Sequence, residues 1–399
     1  MKSTAPPIVH IRPTAALLGL PPVLAFALLA FAAPAHAQES DLTFEGAYVA
    51  DFLTNASGGV RAGSALLHNL DLTLGWDGSR ALGIEGIDAF VYVLGNTGDS
   101  MVERVGDAQV ASNIEAPEAL RLYELWIRKR WEDQGSLLVG LYDLNSEFYV
   151  TDAAGLFLNS SHGVGPELAS SGVTGPSIFP VTSLTARLEW TPSSGRFIRA
   201  AVLDAIPGHP SDDSSFVHID LGGGALLIAE AGLVNEAARR KLALGAWSYT
   251  SDFPDAVDDS RTHGPTHGVY LLAETGLGTL GGPERQVVGF GRIGYADPNV
   301  HPVTLGWAAG LVYDRPWGVE DAQVGFGVAS AVLSSRYLEA READASPVDR
   351  AEVAFEVTGS VPVTGRLRVQ PNLQYVVNPG MDPTLDNSLV LGVRIEFGF

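Results

Sequence analysis

The 399-residue chain has no cysteine and only three lysines, Lys2, Lys129 and Lys241. Without cysteine no disulfide can hold the fold together. With 46 acidic against 25 basic residues the formal net charge is −21. A phosphate backbone would be repelled at that balance, so no nucleic-acid partner is expected. Long apolar runs are missing too. Past the N-terminal segment nothing approaches the roughly 18 consecutive apolar residues that a membrane-spanning helix requires. Glycine is abundant instead, at 45 residues, well above the usual ~7%. A Gly-rich, acidic chain with no spanning helix can still cross a membrane as strands.

The N-terminus reads as an export signal. Lys2 and Arg12 give a basic start, Ala15 to Phe31 is apolar apart from Pro21 and Pro22, and Ala35-His36-Ala37 is a small-x-small cleavage pattern. Residues 1–37 are therefore expected to be a cleaved secretory signal peptide, with the mature chain starting at Gln38. The other reading is a retained anchor, and the proline pair and the cleavage pattern argue against it. The leader takes with it two basic residues and no acidic one, which leaves −23 on the mature chain.

The remainder is a ladder of alternating segments. In the C-terminal "SLVLGVRIEFGF", Leu389, Leu391, Val393, Ile395, Phe397 and Phe399 share one parity, and Ser388, Val390, Gly392, Arg394, Glu396 and Gly398 the other. Successive strand side chains face opposite ways, so one face is wholly apolar. The pattern recurs in "RLYELWIRKRW", where Tyr123, Leu125 and Ile127 oppose Glu124, Arg128 and Arg130. It recurs again in "SLTARLEW", where Leu184, Ala186, Leu188 and Trp190 oppose Ser183, Thr185, Arg187 and Glu189. Near the C-terminus Arg366, Arg368, Gln370, Asn372 and Gln374 form the polar face of one more segment.

Sixteen such segments can be marked between residues 42 and 399. Short joins at 132–135, 192–195, 315–320 and 361–365 alternate with long ones at 96–119, 143–182, 205–224, 250–266 and 333–349. The join at 296–302 is shorter than the alternation asks for. An even strand count with short turns at one end and long loops at the other is the pattern of bacterial outer-membrane barrels. The expected fold is therefore all-β: a closed antiparallel transmembrane barrel of about 16 strands over residues 38–399, with short periplasmic turns and long extracellular loops. A soluble exported β-protein is the rival, and it predicts that the apolar faces meet in a core.

The stretch "GLYDLNSEFYVTDAAGLFLNSSHGVGPELASSGVTGPSIFPVTSL", Gly140 to Leu184, closely resembles the signature segment of the OprB-type carbohydrate-selective porins. Shorter resemblances follow at Ala200 to Pro210, Leu244 to Thr250 and Leu373 to Pro383, and the terminal Phe399 resembles the aromatic C-terminus read by the outer-membrane barrel assembly machinery. The resemblance implies a sixteen-stranded barrel that passes glucose-like sugars by facilitated diffusion, with no catalysis and no cofactor. The 143–182 stretch joins the fifth and sixth segments, and as the third loop does in general porins it is expected to fold into the lumen and narrow it. Ala153, Ala154, Gly155 and Gly163 would let the loop backbone lie close to the wall.

Charged residues at inward parity would cost ~2–4 kcal/mol, for an arginine at mid-depth, if they faced lipid. They must face water or each other. Sugar hydroxyls suit guanidinium, carboxylate and amide partners, and sugar C–H faces suit aromatic rings. The candidate pore-lining and sugar-contacting residues are Glu124, Arg128, Arg130, Asp143, Asn145, Glu147, Tyr149, Asn159, Arg187, Arg366, Arg368, Arg394 and Glu396, with Phe148 beside them.

Ser160-Ser161-His162 invites a hydrolase reading, but no GxSxG elbow is present and adjacent residues rarely set a nucleophile against its base. These side chains are expected to cap a turn. His263 and His267 are spaced for a metal pair only on a helix, and Gly264-Pro265 opposes one, so no metal is expected. The acidic loop residues Asp212, Asp213, Asp252, Asp255, Asp258, Asp259, Asp382 and Asp386 are read as solubilising, or as meeting lipopolysaccharide through divalent cations. The expected partners are small sugars, outer-membrane lipid and lipopolysaccharide. A homotrimer is compatible with the sequence, although a closed sheet has no edge strand that demands one. A non-selective general porin is the nearest alternative function.

Overall fold

The computed structural model describes residues 41–79, 83–131, 134–208, 216–219, 221–258 and 260–399. The signal segment 1–37, and Asp212, Asp213 and Asp259, lie outside the described residues. The first half of the wall is β1 (Leu42–Gly59), β2 (Gly63–Asp77), β3 (Ile87–Gly98), β4 (Ala119–Trp131), β5 (Gly135–Tyr142), β6 (Ser183–Ser193), β7 (Arg196–Asp204), β8 (Ala225–Asn235) and β9 (Arg240–Tyr249). After a two-residue hairpin, β10 (Phe253–Pro254) and β11 (Thr262–His263), come β12 (His267–Thr279), β13 (Gln286–Ala296), β14 (Val303–Asp314) and β15 (Gln323–Leu333). β16 (Ala351–Pro362), β17 (Leu367–Val377) and β18 (Asp386–Gly398) complete the set.

Apart from the β10–β11 hairpin, each strand pairs antiparallel with its neighbours, and β18 closes on β1, giving a sixteen-stranded barrel. Closure leaves no open edge within the wall. At the seam Asp51 stands opposite Arg394 and Ala47 opposite Gly398. Phe399 exchanges both backbone hydrogen bonds with Gly46 at 2.9 Å, and its ring lies where a Gly46 side chain would stand.

Alternation sets which face is which. Leu125, Ile127, Leu188, Trp190, Phe355, Val357, Leu391 and Ile395 are exposed on the outer surface, whereas Thr185, Arg187, Glu352, Glu356, Gln374 and Ser388 are buried inside. The soluble-protein reading fails here, because the apolar strand faces point out of a single closed barrel. Trp131 and Trp190 both stand opposite Gly135, at one level near the short-turn rim, where amphipathic rings suit a lipid headgroup boundary.

The largest buried apolar cluster lies inside the barrel. Leu144, Phe148, Tyr149, Val164 and Leu168 of the 143–182 segment pack against Phe197, Ile228, Trp247 and Tyr270 of the wall.

One strand detail differs from the sequence reading. Tyr123 shares the outward parity of Leu125 in the sequence, yet it is buried. A register shift between the Tyr92–Glu124 and Val93–Leu122 pairs inserts one residue in β4 and turns Tyr123 and Glu124 both inward. Such a bulge breaks period-two alternation locally. The loops also hold structure that alternation cannot show, including helix α1 (Val102–Val105), helix α2 (Pro166–Ala169) and helix α3 (Ser335–Ala343).

Candidate functional site: the lumen and its inward loops

Irregular backbone inside a barrel must find partners for its N–H and C=O groups. In the 143–182 segment, several N–H donors are taken by carboxylates that project inward from the wall. Tyr149 N–H donates to Glu230 of β8 at 2.9 Å, and Ala153 N–H to Glu274 of β12 at 2.8 Å. Leu158 and Asn159 N–H both donate to Glu356 of β16, at 2.7 and 3.0 Å. The segment thus crosses the interior from β8 to β16. Ionised carboxylates are acceptor-only groups, and charge-assisted bonds of this kind are about twice as strong as neutral ones.

The 99–118 segment is held the same way. Ala108 and Gln109 N–H donate to Glu352 of β16 at 2.8 and 2.9 Å, Ser112 hydroxyl donates to Asp51, and Gln374 amide donates to the Ala111 carbonyl. The two segments meet where Asn113 N–H donates to the Leu158 carbonyl at 2.7 Å.

Where the 143–182 segment touches β13 to β15, four of the inward wall positions are glycine. A Cβ on Gly294 or Gly306 would overlap Glu167, and one on Gly325 or Gly327 would press on Phe157, Leu156 or His162. The sequence reading gave that role to small residues of the loop. Ala153 and Ala154 are indeed buried, but a Cβ on Gly155 would meet nothing within 4 Å. The close approach is made by the wall's glycines.

The candidate residues fall into three groups. Glu147 and Arg187 come together: their side chains pair at 2.7 Å, Tyr142 hydroxyl donates to the other Glu147 oxygen at 2.5 Å, and Arg187 also donates to Ser136. Arg187 is 1% exposed, while the Glu147 side chain is 24% exposed. Arg128 and Arg130 share Asp88 at 3.0 and 2.5 Å, with the Arg128 guanidinium 5.3 Å from the Trp126 ring centre. Arg394 grips Asp51 with two bonds of 2.7 and 2.8 Å and donates to Asn113. Arg368 binds Ser360 and the Asp321 carbonyl, and Glu396 stands opposite it in register.

A second group serves the loop's own fold. Glu124 accepts from Asp143 N–H, Asp143 caps Asn145 N–H at 2.8 Å, and the Asn145 amide donates to the carbonyls of Phe148 and Gly163. Desolvation pushes the Asp143 carboxyl up to about 6. Tyr149 is buried, its hydroxyl donating to Glu167 at 2.8 Å and its ring stacked on Tyr270. Asn159 is buried and caps the turn Ser160–His162 by accepting from Ser161 N–H at 3.1 Å. That cap was expected from the serines themselves. Burial and the Arg292 charge hold His162 down at about 3.

The third group is Arg366 alone. β17 begins at Leu367, so Arg366 is exposed in the short turn and not on the inner wall.

Residues not among the candidates also face the interior, among them Asp51, Arg199, Glu230, Glu274, Arg292, Glu352 and Glu356. Arg199 pairs with Glu189 at 3.0 Å and lies 4.4 Å from the centre of the Phe197 ring. Asp51, Glu230 and Arg292 do sit at inward parity in "AYVADFL", "LLIAEAGLV" and "GFGRIGYA", but alanine and glycine blur the alternation there. At the short-turn end Arg239, Glu284, Asp314, Arg315, Asp321, Gln323 and Arg368 surround a polar cavity of about 670 Å³.

A closed polar-lined barrel narrowed by its own loops is a channel architecture. The model of the carbohydrate-selective porin OprB family matches residues 61–399. The chain belongs to that family. A high-pH structure of Pseudomonas putida OprB is similar with a TM-score of 0.82 at 20% identity, covering 90% of this chain and 94% of that one. A low-pH structure of the same protein gives 0.58 at 17% identity, over 90% and 93%. The outer membrane channel DcaP of Acinetobacter baumannii gives 0.54 at 8% identity, over 90% and 97%. At these identities the structural likeness shows the fold. No curated protein sequence matches the chain.

Family and fold together make this a carbohydrate-selective porin of the bacterial outer membrane. They are those of a channel and not of an enzyme, so the hydrolase reading of Ser160-Ser161-His162 is set aside. His263 pairs with Asp255 at 2.6 Å in the β10–β11 hairpin.

Proposed function

We propose that this porin passes neutral, monosaccharide-sized sugars such as glucose by facilitated diffusion, through the space left between its inward loops and the polar wall. The observation that carries the reading is the set of wall carboxylates, Glu230, Glu274 and Glu356, that hold the 143–182 backbone across the interior. A lumen crossed in this way has a small free section. The charged side chains that reach it are held in pairs: partly exposed Glu147 on buried Arg187, Glu189 on Arg199, and Arg394 on buried Asp51. Paired charges offer hydrogen bonds on both sides without a net field for one ion sign, which favours a polyol over a bare ion.

In this reading residues 1–37 are removed on export and Phe399 is read by the assembly machinery. One lumen suffices for passage, and a homotrimer would multiply it without altering it.

The test is liposome swelling with the detergent-folded protein, across monosaccharides, disaccharides and amino acids of equal size. Monosaccharides are expected to enter faster than size-matched amino acids. Glu147→Ala, which strips Arg187 of its carboxylate, is expected to erase that preference. Rates that follow size alone in the wild type would make the protein a general porin.

A further inference from the structure

Between the 143–182 loop and β13 lies a polar cluster that its surroundings do not satisfy. Arg292 points inward from β13 and is 5% exposed. None of its three guanidinium nitrogens has a hydrogen-bond partner among the described residues. The loop faces it with three groups. The Tyr149 ring centre lies 5.5 Å from the guanidinium carbon. Glu167 Oε2 is buried without a donor, and both ring nitrogens of His162 are buried without a partner.

The other charged groups packed here have partners of their own, although Glu230 Oε1 keeps an ion pair and no hydrogen bond. Glu167 Oε1 accepts from Tyr149 hydroxyl. Glu230 of β8 accepts from Tyr149 N–H and from the Tyr270 hydroxyl of β12, and its second oxygen lies 3.8 Å from Arg199 of β7.

A guanidinium buried without acceptors is among the least favourable arrangements in a protein interior. The census of the cluster says what could relieve it. Arg292 brings five N–H donors and neutral His162 one donor and one acceptor, against a single free oxygen of Glu167. Water would add as many donors as acceptors to a site already rich in donors. An anion adds acceptors only. A sugar could not enter without the loop leaving, because His162 and Glu167 are themselves closed to solvent.

We propose that a single halide-sized monovalent anion is bound between Arg292, His162 and Glu167, and clamps the 143–182 loop to the wall. Burial raises the Glu167 carboxyl, while the Tyr149 hydroxyl and the Arg292 charge pull the other way. Were it protonated, Oε2–H would be a further donor to the same position, and the guanidinium and the anion would balance in charge.

Diffraction from crystals grown in sodium bromide, at the bromine absorption edge, tests this directly. One anomalous peak is expected within ~3.5 Å of the Arg292 guanidinium, and it should vanish in Arg292→Gln. Water density alone, or Arg292 and Glu167 in direct contact with nothing between them, would overturn the proposal. Limited proteolysis supplies a readout in solution. The wild-type loop should be cleaved several-fold more slowly in chloride than in gluconate at equal ionic strength, and Arg292→Gln should show no difference. Equal cleavage of the wild type in both salts would also overturn it. Should Arg292→Gln not fold, His162→Phe serves as the variant, since it removes one donor, keeps a ring against Phe290 and leaves the β13 sequence unchanged.

Discussion

Two stretches of the inner wall meet the same loop by opposite means. Along β13 to β15 the inward positions Gly294, Gly306, Gly325 and Gly327 carry no side chain, and the loop's Glu167, Leu156, Phe157 and His162 occupy the space. Across β16 to β18 and β1 the inward positions are Glu352, Glu356, Gln370, Asn372, Gln374, Ser388 and Asp51, all buried. They reach out to the two inward loops and to each other. One stretch accepts the loop as a packed layer, the other holds its backbone by hydrogen bonds. The difference teaches that a porin's inner wall is not uniformly polar. It is polar where backbone needs partners and bare where side chains need room.

The comparison breaks most visibly at Gly306. A Cβ there would sit 2.0 Å from Glu167 Oε2 and 2.7 Å from the Pro166 ring. Glu167 can swing aside, but a proline ring cannot. Gly306→Val is expected to lift helix α2 from the wall, since overpacking costs ~1–3 kcal/mol. Single-channel conductance should rise, and swelling assays should admit larger sugars. Gly291→Ala on β13 is the control, because a Cβ there meets only the Ala308 carbonyl at 3.9 Å. If both variants conduct alike, the glycine wall is not what seats the loop.

Next comes the polar stretch. Glu356 accepts from Leu158 N–H, Asn159 N–H and the Asn372 amide. Glu356→Ala leaves three buried donors unmade, each worth ~1–3 kcal/mol. The barrel has many other strand contacts and should still fold. The loop should become protease-sensitive, and open-channel current noisier. Glu356→Gln should fall between, since its amide NH₂ meets donors where the carboxylate met them with oxygen. Wild-type protection in Glu356→Ala would show that side-chain packing alone holds the loop.

Both stretches explain what could be read from the sequence. Alternation located all sixteen wall strands, because lipid outside and a polar interior make the two parities chemically distinct. It put Arg187 and Arg394 at inward parity for the same reason, whereas Glu147 lies in the loop, where alternation says nothing. It could not show that Asp51 would meet Arg394, since their pairing depends on closing strands at opposite ends of the chain. Nor could it separate side chains facing water from those facing the loop: Tyr149 and Asn159 are polar in sequence and serve the loop's interior. The wall glycines carry no parity signal at all. In a strand a glycine reads as noise until the segment lying over it is known. Arg366 missed the wall by one residue, and one bulge turned Tyr123 from the outer face to the inner.

The two loops should also part company with pH. Burial, then the Glu352 charge, pushes Asp107 in the 99–118 segment up to about 8, against about 4 for an ordinary aspartate. Native Asp107 therefore holds its proton while the unfolded chain has lost it, and stability contributed there falls as pH rises from about 4 to 8. His162 in the 143–182 segment runs the other way. Its folded value of about 3 lies below the usual ~6.5, so the unfolded chain takes up a proton first and stability falls as pH drops from about 6.5 to 3. Proteolysis should reach 99–118 more readily at pH 8 than at pH 5, and 143–182, where the raised Asp143 opposes His162, should resist protease better at pH 4 in His162→Phe than in the wild type. Asp107→Asn and His162→Phe should each flatten one limb and leave the other. A parallel response of both loops would mean that a shared group controls them.

The smallest effect is expected at the root of the 99–118 loop, where an exposed contact and a buried one lie side by side. Arg61 and Glu103 pair at 3.3 Å with side chains 60% and 70% exposed. Exposed pairs contribute ~0–1 kcal/mol, so Glu103→Ala should leave conductance and loop proteolysis unchanged. Buried Asn55 donates at the same place to the carbonyls of Gly58, Arg61 and Arg104, at 2.8, 3.0 and 3.1 Å. Asn55→Ala removes an amide that ties β1 to the loop, and it should expose 99–118 to protease where Glu103→Ala does not. If the order were reversed, surface charge and not buried backbone bonding would be what holds these loops, and the account of Glu230, Glu274, Glu352 and Glu356 would fail with it.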